Sequence, residues 1–64
     1  MQDLSSKEIE VLRWLVEGKT CLEVAGILHR SYQTVKNQSA SVIRKLDATN
    51  MVQAAVIAVR MGII

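Results

Sequence analysis

The feature that most constrains this chain is a pair of helix-start signals set too close together for anything but a short helix between them. Thr20 with Glu23 has the spacing of a capping box, in which the hydroxyl accepts the N3 amide and the carboxylate returns to the cap amide. Ser31 is a second N-cap residue type, and only His29 and Arg30 separate it from the apolar stretch of Leu22, Val24, Ala25, Ile27 and Leu28. Two helices joined by so tight a turn must cross steeply. The rest of the chain follows the same logic. Ser5 with Glu8 opens a first helix over roughly residues 6–17, with Leu4 and Ile9 stapling its entrance and Gly18 as a left-handed stop. A third helix runs from about Tyr32 to Lys45. A fourth is capped by Asn50 with Gln53 at N3 and stops at Gly62. The fold class is all-α, four helices and no strand, in a single domain over residues 1–64.

Sixty-four residues bury only about 60% of the surface their unfolded chain exposes. Half are apolar, yet Phe is absent and Trp and Tyr occur once each, so aliphatic side chains between helices must supply the stability. That leaves little room for an enzyme cleft. No glycine-rich phosphate loop, metal-ligand cluster or nucleophile with a base is present, so no enzyme, cofactor or small-molecule ligand is expected. His29 lacks a Cys or His partner at ligand spacing and is assigned no metal. Cys21 is the only cysteine, which suits a reducing cytoplasm, and it reads as a small buried hydrophobe rather than a redox sensor. No run approaches the roughly 18 apolar residues of a membrane span, and Asp3, Lys7, Glu8 and Glu10 stand where a signal peptide would be apolar. A soluble cytoplasmic protein is expected. Eight basic against six acidic residues leave a net charge of +2, which permits nucleic acid without requiring it.

At 100° per residue, Val35, Ser39, Val42 and Leu46 share one side of the third helix and form its core seam. Gln33, Lys36, Asn37, Ala40 and Arg44 fall on the other side. Alone, such a face is an ordinary solvated one. Behind a short helix, a tight turn and the Ser31 cap it becomes the exposed helix of a helix-turn-helix, and its chemistry suits the major groove. Lys donates to guanine O6 and N7, Asn pairs with adenine, and an Ala methyl meets the thymine methyl. The base contacts assigned are Gln33, Lys36, Asn37 and Ala40. The phosphate contacts assigned are Thr20, Arg30, Ser31, Thr34, Arg44 and Lys45, with the hydroxyls of Thr20 and Ser31 also claimed by their caps.

With LSSKEIEVLRWLVEGKT at 4–20, EVAGIL at 23–28, Ser31 before TVKN at 34–37, RKL at 44–46 and NMVQAAVIAVRMGII at the end, the sequence resembles the LuxR/FixJ-type helix-turn-helix family over essentially its whole length. The resemblance implies a third helix in the major groove and a fourth that pairs with its copy on double-stranded DNA. It places base readers at Lys36, Asn37 and Ala40 and a phosphate-side residue at Thr34. Trp14, the GKT at 18–20, and Asn50 with QA at 53–54 look more like the quorum-sensing branch than the response-regulator branch. Such domains sit at the C-terminus behind a sensory domain, so an upstream sensor is expected. The family often has His where Gln38 stands here; Gln38 falls beside the core seam and reads as structural.

From Met51 to Ile64 only Gln53 and Arg60 are clearly polar. Met51, Ala54, Ala55, Ala58 and Gly62 supply a flat stripe for the domain's own core. Val52, Val56, Val59 and Ile63 form a second stripe, suited to an isologous homodimer that sets two recognition helices on successive half-sites. The other readings are that both stripes are buried in one chain, or that this helix rests on an upstream domain. The competing function is a module of the same fold that binds a regulator or RNA polymerase instead of DNA.

Overall fold

The computed structural model describes residues 3–64. Among them are four helices, α1 (Ser6–Val16), α2 (Cys21–Leu28), α3 (Tyr32–Lys45) and α4 (Met51–Arg60), and no strand. None is long and apolar enough to cross a membrane.

Each helix starts where a polar side chain takes over an orphan amide. Ser5 and Thr20 accept from the amides of Glu8 and Glu23, both at 3.2 Å, and each carboxylate accepts the cap amide in return, at 2.8 and 2.9 Å. Ser31 accepts from Thr34 N at 3.1 Å and Asn50 from Gln53 N at 2.9 Å. At α4 the expected return bond is displaced by one residue, since Gln53 Oε1 accepts from the amide and hydroxyl of Thr49 rather than from Asn50.

The helix ends are as local as the starts. Gly18 and Gly62 adopt φ of 97° and 74°, and the amide two residues beyond each helix cap returns to a carbonyl of the last turn, Lys19 to Trp14 and Ile63 to Ala58. His29 and Asp47 take the same left-handed conformation at φ 55° and 54° without being glycine.

The core lies in two clusters divided along α1. Val11 packs with Val24 and Ala25 of α2 and Val35 in the first half of α3. Leu12, the next residue, packs with Val42 and Leu46 at the far end of α3 and Ala54 and Ala58 of α4. Trp14, Leu15, Cys21 and Leu28 flank the first cluster. Leu4, Ile43, Met51, Ile57 and Ile63 are among those that flank the second. Cys21 is thus half-buried at the edge of its cluster instead of fully enclosed.

Ile63 is where the sequence reading needs correcting. Its place on an outward stripe assumed that helical spacing runs through residue 63, but α4 ends at Arg60 and Gly62 reverses the chain. The hydrophobic contact that accompanies this kind of helix end carries Ile63 back onto the Ala58 cluster. Gly62 likewise lies beyond the helix and is exposed, so it is no part of the flat inner stripe.

Candidate nucleic-acid interface

Burial of Val35, Val42 and Leu46 fixes the roll of α3 about its axis, and Gln33, Lys36, Asn37, Ala40 and Arg44 are all left exposed. Two side-chain ties run along this face at the spacing of one helical turn. Gln33 Nε2 donates to Asn37 Oδ1 at 3.0 Å, and Lys36 Nζ stands 5.6 Å from the centroid of the Tyr32 ring. Arg44 Nη2 donates to Ser41 Oγ at 3.3 Å, and the residue is exposed. At the start of α3, Ser31 Oγ accepts the Thr34 amide and donates to Thr34 Oγ1 at 2.8 Å. Thr20 is exposed at the start of α2, where free amides and the helix dipole favour an anion.

Two of the flanking cations assigned to phosphate are engaged within the chain. Arg30 binds Glu10 Oε1 at 2.6 Å, Lys7 O at 3.4 Å and Gln38 Oε1 at 3.3 Å, so its guanidinium spans α1, the turn and α3. Gln38 has the structural position expected of it. Lys45 Nζ lies 2.8 Å from Glu8 Oε1, and Ser41 Oγ donates to Glu8 Oε2 at 2.5 Å. In each pair a carboxylate competes with a phosphate for the cation, less strongly at Arg30, where Glu10 is half-exposed.

Glu8 is the buried charged residue of the described chain, at 7% exposure, and only its cap role was visible in the sequence. Burial disfavours its charge. The hydrogen bonds from Lys45, Ser41 and the Ser5 amide, with the Lys45 charge, outweigh that and lower its pKa from 4.5 to about 2. No periodic signal links residues 8 and 45. The stacking of Lys36 on Tyr32, by contrast, has the (i, i+4) spacing that could have flagged it.

On α4, Val52, Val56 and Val59 are 76%, 45% and 56% exposed. With Ala55 and Arg60, the latter two border a shallow apolar depression. Ile63 is absent from it.

Comparison with known proteins agrees with this architecture. Residues 2–58 match the family described as bacterial regulatory proteins, luxR family. The transcriptional activator protein SolR of Ralstonia nicotianae is 48% identical over 61 residues, which are 95% of this chain and 26% of SolR. The HTH-type quorum sensing-dependent transcriptional regulator RpaR of Rhodopseudomonas palustris is 39% identical over 61 residues, 95% of this chain and 25% of RpaR. The chain therefore spans about a quarter of the length of the curated relatives it matches. In the crystal structure of the phage VqmA-DPO complex, a region with TM-score 0.85 and 29% identity covers 97% of this chain and 28% of that one. The four helices, the short α2 and tight turn before an exposed α3, and these matches have one conclusion: the chain belongs to the luxR family of bacterial regulatory proteins, as a helix-turn-helix DNA-binding domain of transcription regulators and not an enzyme.

Proposed function

We propose that α3 enters the major groove and reads one half of an operator, and that two copies bind a pseudo-palindrome through α4. The observation that carries the first part is the polar face of Gln33, Lys36, Asn37 and Ala40. It is exposed and makes no contact that the core requires. Lys36 donates to guanine, Asn37 pairs with adenine, and the Ala40 methyl meets thymine. Thr20, Ser31, Thr34 and Arg44 meet phosphates on either side, helped by the amides that begin α2 and α3. The exposed row of Val52, Val56 and Val59 supports the homodimer. One helix pair buries little area, so the free domain stays monomeric and pairs on DNA. The site of action is the cytoplasm, where the operator is.

The test is titration of a selected two-half-site duplex. Lys36→Ala and Asn37→Ala are each expected to weaken specific binding by about 1–3 kcal/mol while circular dichroism stays unchanged. Parent-like affinity and selectivity in both would sink the assignment of the reading face. Val56→Glu sets two carboxylates against each other across the seam, so it is expected to abolish cooperativity and spare half-site binding. Undiminished cooperativity would rule α4 out as the interface. Affinity for random duplex should fall steeply with salt. Absence of DNA binding at every salt concentration would favour the competing reading, a module that docks on a regulator or on RNA polymerase.

A further inference from the structure

We infer that Gln33 and Asn37 act as one reading unit, in which Gln33 sets the orientation of the Asn37 amide and so determines which base Asn37 selects. This rests on the proposed entry of α3 into the major groove.

The Gln33 Nε2 to Asn37 Oδ1 bond fixes what each amide shows outward. A primary amide carries one acceptor oxygen and two donor hydrogens, and rotation by half a turn exchanges their places. With its oxygen turned to Gln33, Asn37 presents Nδ2 as donor and keeps one lone pair on Oδ1. That is the complement of adenine, whose N7 accepts and whose N6 amino group donates. Gln33, having spent an N–H on the tie, presents Oε1. A free oxygen there favours a neighbouring base with an exocyclic amino group, cytosine or adenine, and meets only acceptors on guanine.

Lys36 does not compete for either amide. Its ammonium is drawn over the Tyr32 ring, one track round the helix from the Gln33–Asn37 tie. Both amides are exposed in the free domain, where water weakens the bond between them. A groove that excludes water strengthens the same bond, so the orientation matters most when a base is being read. Gln33 is therefore a positioning residue for a base it does not touch.

The experiment selects duplexes from a library randomised in the half-site, using parent, Asn37→Ala, Gln33→Ala and Gln33→Glu, and reads the ratio of bases at each position. Ratios are unmoved by a uniform loss of affinity or by a fraction of unfolded protein. The parent is expected to enrich adenine at one position, and Asn37→Ala to erase that enrichment. Gln33→Ala should lower the same enrichment severalfold. Gln33→Glu should do more, because a carboxylate only accepts. Asn37 then turns Nδ2 towards residue 33 and its oxygen outward, where it accepts from the amino group of adenine or cytosine alike, and the preference for adenine over cytosine is lost. An adenine enrichment that depends on Asn37 but is unchanged in both Gln33 variants would overturn the unit and leave the reading helix standing. If Asn37→Ala kept the parent's base ratios, the unit and the reading face would fall together.

Discussion

The two halves of the core are built differently. On the α2 side Val11, Val24, Ala25 and Val35 hold a helix of eight residues that contains Gly26 and ends in a left-handed His29. On the α4 side Leu12, Val42, Leu46, Ala54 and Ala58 are buried, and aliphatic residues from Leu4 to Ile64 pack around them. Each half also has a polar staple between α1 and α3 or the turn before it. The Glu8–Lys45–Ser41 staple is enclosed, whereas the Arg30–Glu10–Gln38 staple has a half-exposed carboxylate. The half that presents the reading face is the thinner one. In so small a domain, fully buried apolar volume is greater where α1, α3 and α4 meet, and α2 is held by three buried valines and an alanine with the partly buried Trp14, Leu15, Cys21 and Leu28 around them.

The sharpest way to break this contrast is to empty each half in turn. Leu12→Ala should cost about 2–5 kcal/mol. The whole domain has only about 3–10 kcal/mol to lose, so this variant should be largely unfolded at room temperature by circular dichroism. Val24→Ala removes less volume and should remain folded with a lowered melting temperature. Equal losses at the two sites would erase the distinction. Acid probes the enclosed staple next. The Glu8 pKa is depressed in the folded chain, so its contribution is complete above about pH 4.5 and is lost as the pH falls towards about 2. At about 1.4 kcal/mol per pKa unit this corresponds to about 3 kcal/mol. Melting temperature should fall through that window in the parent, and Glu8→Gln should flatten the fall. A parent-like slope in the variant would remove Glu8 from the account. The smallest effect belongs to α2. A Cβ added at Gly26 meets nothing within 4 Å, and its φ is not left-handed. Gly26→Ala should therefore stabilise the thin half by about 0.4–1 kcal/mol. A lowered melting temperature would show that α2 is not limited by backbone entropy.

What the sequence discloses is what neighbours along the chain decide. All four caps, the steep turn and the exposed side of α3 follow from residues three or four positions apart, which is the range over which a helix brings side chains together. The partners of Arg30 and Lys45 do not. Glu10 and Glu8 lie a whole helix or more away in sequence, and nothing periodic connects them. A basic residue beside a reading face looks the same in sequence whether it points at solvent or at a buried carboxylate. Ile63 failed for a different reason, since a spacing rule was carried past the Gly62 stop that the same sequence had already declared.

Val11 and Leu12 are adjacent yet serve opposite clusters. A cut in the domain's logic therefore runs lengthwise along α1, and the segment from Thr20 to about Ala40 forms a cassette whose inward side chains are answered by Val11, Trp14, Leu15 and Glu10. Exchanging that cassette between relatives, with those four residues carried along, should transfer the proposed reading face and leave the Leu12–α4 half with its own neighbours. Under the proposed function, operator choice and half-site spacing become separately exchangeable parts, one grafted with α2 and the front of α3, the other retained with α4.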